Sequence, residues 1–348
     1  MSTSPILQVK ALGPQWETLD PFLFCVHHDD DYPAANPDMS PKATLSGRNL
    51  GQDFSGKDGW SIYHGNPVPG FPAHPHRGFE TVTIVRKGLI DHSDSLGATA
   101  RFGRGDVQWL TAGEGIVHAE MFPLLNTDAA NPLELFQIWL NLPAANKMAP
   151  PHFTMFWADA IPHRISQDVN GLETEAVVIA GQMEGVQALA PPPDSWAAAA
   201  QSDLAIWTLR MQPGARYTLP SANSGTRRML YFFKGLKVAI GAQEIRAQTA
   251  IELRADQAVE LINGDAPAEF LLLQGKPIAE PVAQYGPFVM NTRSEIEQTL
   301  AEYRRTQFGG WPWLQSGLQS LPDHARTHGR DPKRFAVHPD GRMEMPEA

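Results

Sequence analysis

Short runs of two-residue alternation, closed about every eight to twelve residues by turn signals, constrain this chain to an all-β fold. "ETVTIVRKG" ends at Gly88, "LIDHS" follows, "DSLG" turns, and "ATARFGRGDVQWLTAG" returns. Such a meander is the pattern of a sandwich or barrel, in which alternate side chains enter the core. "LELFQIWLNLP", Leu133 to Pro143, reads as a further buried strand. The stretch before the meander, "HHDDDYPAANPDMSPK", reads as surface loop, and the 30 prolines and 29 glycines fit many tight connections.

With 348 residues the chain exceeds what one hydrophobic core usually organises, so two domains are expected. "MAPP" after the first set of strands reads as the interdomain connection, which gives 1–145 as the first domain, 146–290 as the second, and 291–348 as a helix and tail. The second half echoes the first: "MQPGARYTLP…RRMLYFFKGLKVAIG" repeats the plan of "NPVPGFPAHPH…ETVTIVRKGLIDHS", a Pro-Gly turn, a strand, Lys-Gly and another strand. "APPPDSWAAAAQSD" reads as a Pro/Ala-rich linker inside the second copy. Thr292 with Glu295 forms a capping box for a helix whose Ile296, Leu300 and Tyr303 share an apolar face.

Apolar residues make up 42% and charged residues 19%, enough for packed cores and too little charge for long disorder. A formal net charge of −10 without a Lys/Arg stripe argues against nucleic acid and anionic lipid. Cys25, the only cysteine, excludes an intramolecular disulfide and a thiolate cluster; in "FLFCV" it reads as a buried packing residue. The N-terminal residues lack a signal-peptide pattern, and no apolar run spans a membrane, so a cytoplasmic protein is expected.

The 12 histidines separate the two copies, because none lies between residues 164 and 323. The first copy holds "AHPHRG" and, further on, "GEGIVHAEMF". Residues i and i+2 of a strand share a face, so His74 with His76, and His118 with Glu120, form two inward pairs. On facing strands they make a cage of three imidazoles and one carboxylate, a donor set for one Fe(II), with Mn, Ni, Cu or Zn as alternatives. The second copy offers "YTLPSANSGTRR" at the matching place, and its Glu252 and Glu260 read as solvated outer-face residues, so one metal per chain is expected.

Other polar clusters read more plainly. His27 and His28 with Asp29 to Asp31 are consecutive and so point to opposite faces, as in a solvated loop. His92 and Asp94 read as hairpin-tip residues. Arg326, Arg330, Lys333 and Arg334, with His324 and His328, read as a mobile, solvated tail.

Phe71 to Phe122 resembles the pirin family of the cupin superfamily, whose two motifs are matched by "HPHRGFETVT" and "GDVQWLTAGEGIVHAEMF". "LFQIWLNLP" and "EPVAQYGPFVMNTRSEI" carry the resemblance to about residue 305; the tail after Phe308 has no counterpart. The resemblance implies two tandem cupin β-barrels with metal only in the N-terminal one and a C-terminal helix packed back on the fold. It implies His74, His76, His118 and Glu120 as ligands. Many cupins also ligate through a glutamate a few residues after His-x-His; here that is Glu80, which on a regular strand lies too far from His76 and is assigned behind the ligands, fixing an imidazole tautomer. The implied activity is that of a quercetin 2,3-dioxygenase, an oxidoreductase that joins a flavonol-like substrate with O₂, with Glu120 as the base. The alternative implied is a metal-dependent, redox-responsive regulator whose partner is a transcription factor or metabolic enzyme.

Overall fold

In the computed structural model, which describes residues 4–315 and 327–347, the alternating segments are strands. The first ten are β1 (Ile6–Ala11), β2 (Phe22–Tyr32), β3 (Gly70–His76), β4 (Phe79–Lys87), β5 (Leu89–Asp94), β6 (Thr99–Gly103), β7 (Val107–Thr111), β8 (Ile116–Met121), β9 (Asn131–Asn141) and β10 (His152–Phe156). The helix α1 spans Arg293–Thr306. The fold is all-β with this C-terminal helix, as the sequence led us to expect.

The described residues form two compact units, neither continuous in sequence. One comprises residues 27–137, 144–158 and 280–348; the other comprises 1–26, 138–143 and 159–279. The single cuts expected at 145 and 290 miss this interleaving because strand pairing joins residues far apart in the chain. β10 lies beyond the expected cut yet pairs with β7, His152 opposite Thr111, and β1 pairs with the strand Thr249–Arg254. "MAPP" is thus internal to the first of these units, and the Pro/Ala-rich stretch is internal to the other, where Trp196 Nε1 donates to the Lys276 carbonyl at 2.9 Å.

The unit holding "AHPHRG" is a sandwich. A five-stranded sheet runs in the order β10-β7-β4-β9-β2, and a six-stranded sheet runs from Met343–Glu344 and Phe335–Val337 through β6, β5 and β8 to β3. Val85, Leu110, Leu133, Leu135 and Phe153 of the first sheet and Ile90, Ala100, Phe102 and Ile116 of the second share one apolar core. Each large aliphatic or aromatic side chain so buried contributes roughly 1.5–3 kcal/mol against unfolding. The other unit repeats the plan: its four-stranded sheet, Arg216–Leu219, Val259–Asn263, Lys237–Ile240 and Gln243–Arg246, has the neighbour order of β3, β8, β5 and β6.

Three local expectations change. His27 to Tyr32 belong to β2, not to a loop; Asp30 is buried, accepting from the Ser61 N–H at 2.8 Å and the Tyr63 hydroxyl at 2.8 Å. His92 is fully buried in β5, whereas Asp94 does serve the turn, its carboxylate accepting from the Leu96 and Ala98 N–H groups. The tail is tied down where it is described: Phe335–Val337 pairs with β6, Arg334 bonds Asp106 at 2.6 Å, and Arg330 donates to the Leu125 carbonyl. Buried Arg101, paired with Asp91 at 2.7 Å, also donates to the Gly329 and Asp331 carbonyls. His324 and Arg326 lie outside the described residues.

Thr292 caps α1 in the expected box: its hydroxyl accepts from the Glu295 N–H, and its own N–H donates to the Glu295 carboxylate at 2.7 Å. Ile296 is buried against Phe288 and Met290, with Leu300, Tyr303 and Phe308 packed beside them. Cys25 is fully buried, and burial pushes its thiol pKa far up, which makes it inert packing. Among the described residues no helix is long and apolar enough to cross a membrane.

Candidate metal centre

β3 and β8 run antiparallel with His74 directly opposite His118 and His76 opposite Ile116. Cross-strand partners share a face, so His74, His76, His118 and Glu120 all leave the six-stranded sheet on its inner side. The ligand-capable nitrogens of His74, His76 and His118 lie within 4.8 Å of one another. His74 Nε2 is 3.0 Å from His118 Nε2, and a Glu120 carboxylate oxygen is 3.8 Å from the latter. Two nitrogens each about 2.1 Å from one ion, at a right angle, would stand about 3.0 Å apart. The residues therefore fit a transition metal.

The surroundings prepare these imidazoles to be ligands. The Pro72 carbonyl can only accept, so His74 donates its Nδ1–H there at 2.8 Å and keeps the lone pair on Nε2. Burial pushes the His74 pKa down to about 4, and burial joined by repulsion from neighbouring imidazoles holds His76 and His118 well below the usual value. All three are neutral at physiological pH. Burial also raises the Glu120 pKa, against the pull of His92 and a hydrogen bond from Thr83.

Sequence reasoning missed two contributors from the opposite sheet and one from β5. Thr83 of β4 lies 3.1 Å from Glu120 Oε1 and 2.7 Å from the Gln137 amide of β9. A hydroxyl has one proton, so Thr83 donates to one of two acceptors at a time, Gln137 Oε1 or Glu120 Oε1. His92, opposite Glu120 across β5 and β8, has its ring 5.5 Å from that of His118. Glu80 accepts from Thr111 at 2.7 Å and, by the alternation of β4, leaves the strand on the face opposite to Thr83.

A second group, His27, Asp29 and Glu134, also lies close enough to hold an ion. It already holds cations: Lys87 Nζ is 2.6 Å from Glu134 and 3.5 Å from Asp29, and Arg86 pairs with Glu134 as well. These charges hold the Glu134 carboxyl far below the usual range, so we read the group as an ion-pair network.

The ring of His328 is held at Thr99 Oγ1, 2.8 Å away. Thr99 alternates with inward-facing Ala100, so His328 lies behind the metal-facing side of the sheet. In the other unit the positions matching the three histidines are aliphatic or aromatic: Tyr217, which stands opposite Leu261, and Leu219, which stands opposite Val259, all in its core.

A family model described as Pirin matches residues 7–140, and one described as the Pirin C-terminal cupin domain matches residues 206–309. A Pseudomonas aeruginosa protein named "Putative quercetin 2,3-dioxygenase" is 36% identical over 301 residues, 84% of this chain and 88% of that protein. Human Pirin is 32% identical over 253 residues, covering 71% of this chain and 80% of its own. The crystal structure of a quercetin 2,3-dioxygenase from Acinetobacter baumannii superposes with a TM-score of 0.68 at 26% identity, over 89% of this chain and 99% of that one.

Proposed function

Because the chain belongs to the pirin family, we propose that it is a metal-dependent dioxygenase that opens a flavonol-like substrate with O₂. The observation that carries this reading is the inward cluster of three neutral imidazoles with Glu120 beside it. His74, His76, His118 and Glu120 would hold the metal, with Fe(II) the first candidate and Ni, Mn, Cu or Zn the others. The metal, when bound, supplies Lewis-acid polarisation of the substrate's adjacent hydroxyl and ketone oxygens and a redox route to O₂.

The chain's own residues do the rest. Glu120 takes the substrate hydroxyl proton on its carboxylate, and burial, by raising its pKa, makes it a stronger base than a solvated glutamate. Thr83, when it donates to Glu120, fixes the direction of that carboxylate. The apolar core between the two sheets keeps bulk water from the reacting face.

The test is to strip the protein with chelator, reload it separately with each metal, and add quercetin under oxygen. One O₂ should be consumed and one carbon monoxide released per quercetin lost. Absence of turnover with every metal would overturn the dioxygenase reading and leave the regulatory one.

A further inference from the structure

Phe54 is a large aromatic side chain left 57% exposed. The neighbouring Asp53 is buried, pairs with Arg48 at 2.8 Å, and exchanges two backbone hydrogen bonds with Tyr63. Arg48 in turn lies 3.3 Å over the Trp60 ring. This anchoring holds the segment in place and turns Phe54 outward.

The exposed ring is not isolated. It stands edge-on to His64 at 5.0 Å and to Tyr63 at 5.4 Å, and 6.5 Å from Phe71. Phe71 stacks on Tyr63 at 5.3 Å and reaches the ligand candidate His74 at 6.4 Å. Tyr63 is fixed through its hydroxyl, which donates to Asp30 at 2.8 Å and lies 2.7 Å from His28 Nδ1. A run of aromatic contacts therefore links exposed Phe54, through Phe71, whose ring is tilted 53° to it, to the imidazole cluster.

A β-bulge makes this continuity possible. Three residues apart on a regular strand, Phe71 and His74 would face opposite ways. The register of β3 shifts between them, so Phe71 pairs with Glu120 while His74 pairs with His118, and both side chains face inward. The shift spans Pro72 and Ala73, and proline within a sheet is characteristic of bulges and edges.

We infer that Phe54 and Phe71 form the platform on which an aromatic ring of a planar polyphenol stacks while its oxygen-bearing ring meets the metal centre. This rests on the dioxygenase reading and adds the element that selects the substrate. The occupant is a flavonol rather than a protein, because the run of aromatic contacts ends at the metal ligands. Phe54 is a specificity residue, outside the proton-handling and ligand set.

Quercetin binding to the full-length, metal-loaded protein under argon is the test, followed by steady-state turnover under oxygen. Phe54→Ala should raise the dissociation constant and KM about 3- to 10-fold, the range of one aromatic contact, with kcat and metal content unchanged. Phe54→Tyr should restore wild-type values, whereas Phe54→Leu should not, which separates stacking from mere apolar cover. If wild type and Phe54→Ala bind quercetin equally, the platform is wrong and the dioxygenase reading stands. If wild type does not bind quercetin at all, the dioxygenase reading itself fails.

Discussion

The ring of Phe308 lies so close over Gly115 that a Cβ on the glycine would stand 2.7 Å from it. Gly115 belongs to the turn that delivers His118, and Phe308 follows the last turn of α1. Arg77, next to His76, closes the arrangement: its guanidinium lies 4.3 Å over the Phe308 ring, donates to the Glu114 carbonyl at 2.5 Å, and pairs with Glu302 of α1 at 2.8 Å. The C-terminal helix thus holds both histidine motifs at once, one through Arg77 and one through Gly115.

Gly115→Ala should therefore loosen the metal centre from outside it. The glycine has φ +133°, which an alanine adopts only with strain, and the added methyl collides with Phe308. We expect about 1–3 kcal/mol of destabilisation in thermal unfolding and weaker metal retention. Adding Phe308→Ala should recover part of the loss, since it removes the collision and leaves the backbone strain. Full metal affinity in Gly115→Ala would show that α1 does not support the ligands.

His76→Ala should remove most bound metal while the circular dichroism spectrum stays β-type, because the sandwich core is aliphatic and aromatic and does not use the ligand. Glu80→Gln should retain metal with at most a 10- to 100-fold weaker affinity, since Gln can still accept from Thr111 and the side chain leaves β4 on the face away from Thr83. Metal analysis of both variants distinguishes them. Outright loss in Glu80→Gln would make Glu80 a ligand.

What the sequence disclosed and what it hid follow one physical line. Alternation on a strand is local, so His74 with His76, and His118 with Glu120, were legible as inward pairs, as was the helix from its Thr292 cap. Phe71 was not, because the bulge reverses its face and only Pro72 hints at it. His92 was misread because hairpin chemistry at Asp94 was extended back by two residues, onto a side chain inside the sheet. The unit boundaries, and the tail's pairing with β6, depend on contacts between distant residues that no local pattern encodes.

Metal affinity should depend on pH through Glu120 and not through the histidines. Burial brings the His74 pKa down to about 4 and holds those of His76 and His118 well below 6.5, so at neutral pH an incoming ion displaces no proton from them. Glu120 has its pKa raised by burial, so falling pH sets a proton against the metal there first. Chelator competition should show wild-type affinity falling with pH already above the range where a solvated glutamate titrates, with Glu120→Gln weaker but flat. An inflection near pH 6.5 in both proteins would mean that the imidazoles are solvated. The same shifts make the metal-free protein lose stability as pH falls from about 6.5 toward 4, because the unfolded chain takes up protons that the buried imidazoles refuse.

The chain should bind one metal, and the duplicated fold gives the reason to expect none in the other unit. Its strands Arg216–Leu219 and Val259–Asn263 pair in the manner of β3 and β8, which puts Tyr217, Leu219, Leu261 and Val259 where the first unit has His74, His76, His118 and Ile116. These side chains fill the core, and the position matching Glu120 is Asn263, whose amide donates to the Gln212 and Ala266 carbonyls at 2.8 Å each. The carboxylates that remained as candidates are engaged elsewhere: Glu252 lies 3.1 Å from Arg227 and Glu260 lies 3.6 Å from Arg216. Among the described residues, both groupings able to hold an ion belong to the unit containing residues 27–137, and one of them is filled by Lys87 and Arg86. A crystal of the whole chain, soaked with Ni or Fe and measured at the metal's absorption edge, should give one strong anomalous peak, at His74, His76 and His118. A second peak of similar height within the strands of residues 205–275 would show that the aliphatic replacement does not exclude metal.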